Sequence, residues 1–182
     1  MMKQRICQFL FYRLMGWKSN VTVEIPEKCL VCMAPHTSNW DLLIGKLFAG
    51  AHGITGSFMM KKDWFFFPLG ILFRAMGGIP VDRSRKSSLT EQMAERFRTS
   101  QRFLLTITPE GTRKANPDWK KGFYYIARGA NVPVLLMGFD FPTRTLSITK
   151  QLTLTDNVEE CIREMKEHFK QYKGKHPEKF AV

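Results

Sequence analysis

Residues 3 to 15 place Ile6, Phe9, Leu10, Arg13 and Leu14 at helical spacing. Phe11, Tyr12 and Met15 widen the apolar arc, and Lys3 and Arg5 stand near its start. The pattern predicts an amphipathic helix over 1–16 that either packs on its own domain or lies in a membrane interface. Beyond Gly16 and Trp17, short apolar runs alternate with helical patterns. Strands are predicted over 29–34, 55–60, 78–82, 103–108 and 132–138, and helices over 38–51, 63–76, 87–101, 119–129 and 158–172. The last helix puts Ile162, Met165, Phe169 and Tyr172 on one face and meets Gly174 as its stop. Such alternation predicts an α/β fold, with one domain over 17–182 and a largely parallel central sheet flanked by helices.

Composition narrows the partners. A chain of 182 residues suits a single core, and 28 Lys and Arg against 16 Asp and Glu leave a formal charge of +12. That excess calls for an anionic partner: nucleic acid, an anionic membrane or a phosphorylated substrate. The 15 Phe, 10 Met and 4 Trp tilt the choice toward lipid. The basic residues are spread along the chain without a zinc-finger or RNA-binding signature, so a nucleic-acid module is not expected. The run Trp64-Phe65-Phe66-Phe67-Pro68-Leu69-Gly70, continued by Ile71-Leu72-Phe73 and flanked by Lys61, Lys62 and Arg74, is too dense for one amphipathic helix. It predicts a membrane-seated patch, and with it a peripheral protein on the cytoplasmic face of the cell membrane. No apolar stretch reaches spanning length and no signal peptide is legible. Cys29 and Cys32 have metal or redox spacing but no second pair, and their strand alternates faces. They are expected to be core thiols in a reducing cytoplasm, with no metal site.

Three constellations carry candidate chemistry. Pro35-His36-Thr37-Ser38-Asn39-Trp40-Asp41 follows a buried strand and precedes a helix, the place where α/β sheets bind ligands. On one continuous helix His36 and Asp41 would point about 140° apart, so they meet only if His36 lies in the preceding turn. Ser38 as N-cap, with Asp41 at the third helical position, supplies that break. The carboxylate then accepts one imidazole N–H and leaves the other nitrogen free as a general base; alternatively, Ser38 and Asp41 only cap the helix. Second, Gly78-Ile79-Pro80-Val81-Asp82-Arg83-Ser84-Arg85-Lys86 runs a strand into basic residues, where Arg83 can hold a phosphate or sit in a solvated loop. Third, Thr108-Pro109-Glu110-Gly111-Thr112-Arg113 ends a strand in a charged turn whose Glu110 and Arg113 pair with each other or reach into a cleft.

In order and spacing, His36-x4-Asp41, Gly78 to Arg83, Pro109 to Arg113 and Val132-Pro133-Val134 resemble the four motif blocks of the glycerophospholipid acyltransferase (PlsC-type) family, over about residues 16 to 140. The resemblance implies that His36 is the catalytic base and Asp41 its relay partner. It implies that Arg83, Glu110, Gly111, Thr112 and Arg113 bind the phosphate and glycerol of the acyl acceptor, and that Pro133 belongs to the acyl end. Met137 stands where members often carry a second proline. The implied reaction moves a fatty acyl group from acyl-CoA or acyl carrier protein to a lysophospholipid hydroxyl, 1-acyl-sn-glycerol-3-phosphate being the commonest acceptor, with no cofactor beyond the donor. No Gly-x-Ser-x-Gly elbow suggests an acyl-enzyme. A lipid-ester hydrolase using the same pair and a catalytically silent lipid-binding protein are the rivals.

Overall fold

A computed structural model describes residues 2–81 and 86–182. The N-terminal helix α1 (Met2–Gln8) continues into a π-helical stretch, Phe9–Leu14. There follow β1 (Lys18–Val21), β2 (Lys28–Ala34), α2 (Trp40–Ala51), β3 (Gly56–Lys61), α3 (Leu69–Ala75), β4 (Gly78–Val81) and α4 (Lys86–Thr99). The remainder is β5 (Phe103–Ile107), α5 (Gly122–Ala130), β6 (Val134–Asp140), β7 (Thr145–Leu152) and α6 (Val158–Phe169).

The seven strands form one sheet in the order β1-β7-β6-β2-β5-β3-β4, every pair parallel except β6 with β7. The protein is thus a single α/β domain with a mostly parallel sheet flanked by helices. Strand β2 sits at its centre between β5 and β6, and its side chains alternate between two cores. Leu30, Cys32 and Ala34 join the core built with α4, α5 and α6. Cys29, Val31 and Met33 join the opposite core with Phe48 of α2 and with Phe11 and Trp17. Cys29 and Cys32 therefore lie on opposite faces of the sheet, as a three-residue offset in a strand requires. Burial pushes the Cys29 thiol up to about 12 and that of Cys32 up further still.

The structure departs from the expected elements in two respects. The helix predicted over 63–76 is broken: a 3₁₀ turn, Lys62–Trp64, precedes Pro68, and α3 begins only at Leu69. A proline has no N–H to continue the ladder, so its position sets the break. Strands β1 and β7 had no sequence prediction. The N-terminal helix packs on its own domain, the first of the two alternatives stated for it. Phe11 is buried against Phe48 and Trp17 at ring distances of 6.0 and 6.2 Å, while Gln4 and Gln8 donate to the Ala51 carbonyl at the end of α2. Ile6, Phe9 and Leu14 face outward. No helix among the described residues is long and apolar enough to cross a membrane.

Candidate active site

The carboxyl ends of β2 and β5 are neighbours in the sheet, so the segments leaving them, 35–39 and 108–121, meet at one rim. The first bends back on itself. Asp41, the second residue of α2, turns its side chain toward the preceding turn, where Oδ2 accepts three N–H groups: His36 Nδ1 at 3.0 Å, Thr37 N at 3.0 Å and Ser38 N at 2.9 Å. The cap differs in detail from expectation. Asn39 occupies the N-cap position without a side-chain cap, and Ser38 Oγ accepts the Trp40 N–H at 3.2 Å instead. Asp41 is fully buried and His36 keeps 12% of its side chain exposed. With Nδ1–H donating to Asp41, the tautomer assigned from the network leaves the Nε2 lone pair free.

The second segment supplies the other wall. Glu110 is fully buried, and its Oε1 accepts the His36 backbone N–H at 2.6 Å. Its Oε2 and the Oδ1 of Asp41 are buried without a hydrogen-bond partner among the described residues. Burial pushes the Glu110 carboxyl up to about 7, opposed by the His36 N–H and reinforced by Asp41. The turn itself depends on Gly111, at φ +68°, a conformation that side chains with a Cβ rarely adopt. Asn116, not among the residues expected here, closes it: Nδ2 donates to the Glu110 and Asp118 carbonyls and Oδ1 accepts the Asp118 N–H. Lys120 N–H adds a bond to the Pro109 carbonyl at 2.7 Å. An Asn directly before a Pro-Asp step is a turn signal that could have found it.

The expected acceptor-binding residues therefore separate. Glu110 holds the histidine loop, Gly111 shapes the turn, and Thr112 Oγ1 accepts the Lys114 N–H at 3.2 Å. Arg113 is exposed at the rim, and among the described residues no ion pair joins it to Glu110. Arg83 lies outside the described residues. Val81, the last described residue of β4, is three strand positions from β2, roughly 14 Å at the usual strand spacing. Among the described residues no group of three His, Cys, Asp or Glu side chains could hold a metal ion.

A family model described as Acyltransferase matches residues 18–139. Among solved structures, the fold resembles the crystal structure of the 1-acyl-sn-glycerophosphate (LPA) acyltransferase PlsC from Thermotoga maritima. The TM-score is 0.65 at 18% identity, over 93% of this chain and 76% of that one. No curated protein sequence matches the chain. The matched stretch begins with β1 and ends within β6, so it contains both segments of the rim.

Proposed function

The chain belongs to the acyltransferase family, and from that premise we propose that it esterifies a lysophospholipid hydroxyl with a fatty acyl group delivered as a thioester of coenzyme A or acyl carrier protein. The observation that carries this reading is the His36–Asp41 contact: a partly open imidazole held at 3.0 Å by a buried carboxylate at the end of a central strand. The acceptor we propose is 1-acyl-sn-glycerol-3-phosphate, the substrate named for the similarly folded PlsC.

In this mechanism His36 Nε2 takes the proton from the acceptor hydroxyl as its oxygen attacks the thioester carbonyl carbon. The tetrahedral intermediate collapses with cleavage of the C–S bond, and the imidazolium returns the proton to the departing thiolate. The products are an ester and a free thiol, with no covalent enzyme intermediate. Asp41 stabilises the imidazolium and fixes its tautomer, as in other carboxylate–histidine pairs. Arg113, exposed beside the Glu110 turn, and Arg83 are the proposed partners of the acceptor phosphate, which an arginine can hold through two parallel hydrogen bonds.

The lipid acceptor implies a membrane. Two exposed apolar groups support a peripheral seat on an anionic surface: Ile6, Phe9 and Leu14 of the N-terminal helix, and Trp64, Phe66, Phe67, Ile71 and Leu72 around α3. Lys61 and Lys62 precede the second group, and the net charge of +12 favours anionic headgroups.

A thiol-release assay with a long-chain acyl thioester and a panel of lysophospholipids in detergent tests the reading. Acceptor-dependent release is expected, with His36→Ala and Asp41→Asn each losing about 10² to 10⁴-fold in kcat, the range for positioned base catalysis. Thiol release without ester formation would mean that the thioester is hydrolysed rather than transferred, and loss of the lysolipid without thiol release would favour the lipid-ester hydrolase. Folded wild-type protein inactive across the panel, or a His36→Ala variant as active as wild type, would overturn the assignment.

A further inference from the structure

The chain beyond α6 lies outside the stretch that matches the family, yet it returns to the catalytic rim. It runs there as a strap, irregular apart from one 3₁₀ turn at Pro177–Lys179. Both ends of the strap are fastened. At the start, the Tyr172 ring lies against the backbone of Gly138 in β6, where any Cβ would collide with it. Lys173 then exchanges bonds with the end of β6: its N–H donates to Asp140 Oδ1 at 3.1 Å and its carbonyl accepts the Phe141 N–H at 2.9 Å. At the far end, Trp119 Nε1–H donates to the Ala181 carbonyl at 3.1 Å.

Between these fastenings the strap presses on the loop that carries His36. A Cβ on Gly174 would stand 2.6 Å from Thr37 Oγ1, 2.9 Å from Thr37 Cγ2 and 3.1 Å from Pro35 Cβ, so only glycine allows this approach. Thr37, nearly wholly buried, accepts the His176 N–H on Oγ1 at 3.2 Å while its own N–H donates to Asp41 Oδ2 at 3.0 Å. One residue thus joins the strap to the carboxylate that orients the imidazole.

We propose that Thr37 and Gly174 are positioning residues, through which the C-terminal strap clamps the 35–39 loop and holds His36 on Asp41 in the geometry for proton transfer. The proposal rests on the reading of His36 as the general base. The loop has no regular structure of its own, and Glu110 grips it from one side only, through the His36 amide. Beside the local bonds to Asp41, the strap is the second grip from a distant part of the chain, and it falls on the adjacent residue. A displacement of the imidazole by about 1 Å is enough to cost on the order of 10²-fold in rate.

Four variants in the thiol-release assay decide the matter: Thr37→Val, which keeps the shape and removes the acceptor, Thr37→Ser, which keeps the acceptor, Gly174→Ala, and His36→Ala as the reference. Thermal melting followed by circular dichroism confirms folding at the assay temperature. Thr37→Val and Gly174→Ala are expected to lower kcat by about 10- to 100-fold with KM for donor and acceptor little changed, and Thr37→Ser to restore most of the loss. A merely structural role would lower the melting temperature and leave kcat of the folded fraction intact. Wild-type kcat in folded Thr37→Val and Gly174→Ala beside an inactive His36→Ala overturns the strap and leaves the base assignment standing. Equal loss in Thr37→Ser and Thr37→Val overturns the hydroxyl link, and an active His36→Ala overturns the base assignment itself.

Discussion

Two buried carboxyl groups flank His36, and their environments differ. Each leaves one oxygen without a partner among the described residues, but the other oxygen of Asp41 gathers three N–H donors and that of Glu110 only one. Burial therefore governs Glu110, raising it from 4.5 toward about 7. Between those values the native state holds the extra proton, so stability falls as pH rises. The contribution is complete below about 4.5 and lost above about 7. Glu110→Gln keeps the carbonyl acceptor for the His36 amide and removes the titration. Denaturant unfolding at pH 5 and pH 8 should show wild type losing roughly 2 to 3 kcal/mol more than the variant, because each pH step of one between the two values carries about 1.4 kcal/mol. Equal losses would mean that Glu110 ionises normally in the fold. The sequence made the meeting of His36 with Asp41 legible because the two stand five residues apart across a turn signal. The hold of Glu110 on the His36 amide was not legible: it spans 74 residues and is made to backbone, which leaves no mark in side-chain pattern.

At the scale of elements, the buried strands and the helices between them were readable, since central parallel strands are continuous apolar runs. Strand β7, TLSITKQL, was not. It buries Leu146, Ser147, Ile148 and Leu152, but a bulge at the Leu136/Met137 register shift interrupts its alternation, and its polar residues read as loop. Strand β1, KSNV, is an edge strand held by backbone pairing to β7 and buries no side chain fully. The broken 62–75 segment is the instructive failure. A continuous helix was expected over 63–76, but the 3₁₀ turn and Pro68 break it, and Phe67 is 83% exposed and Phe66 55%. A Phe66→Asp, Phe67→Asp double variant should keep the wild-type melting temperature and bind phosphatidylglycerol-containing vesicles at least about tenfold more weakly, since burying each Phe contributes roughly 1.5 to 3 kcal/mol. Raised salt should weaken the wild type as well. Unchanged sedimentation with vesicles would mean that the knuckle serves another purpose.

For the whole molecule, the sheet order puts the carboxyl ends of β2 and β5 side by side at the centre, with β6 on the far flank of β2. The loop bearing His36 is thereby enclosed by segments from distant parts of the chain. Three of its bonds bridge sequence separations of 5, 74 and 139 residues. The first can form as soon as the turn and α2 exist, but the other two wait for the sheet to close and for α6 to dock, because non-local contacts must first overcome the entropy of closing long loops. Kinetic order follows from connectivity. After dilution from denaturant, helical circular dichroism should recover first and catalytic turnover last, with the lag shortened by no mutation confined to the turn. The local bond is thus free to form early, while the two that fix the loop from outside depend on neighbours that only the assembled sheet and the docked C-terminal segment provide.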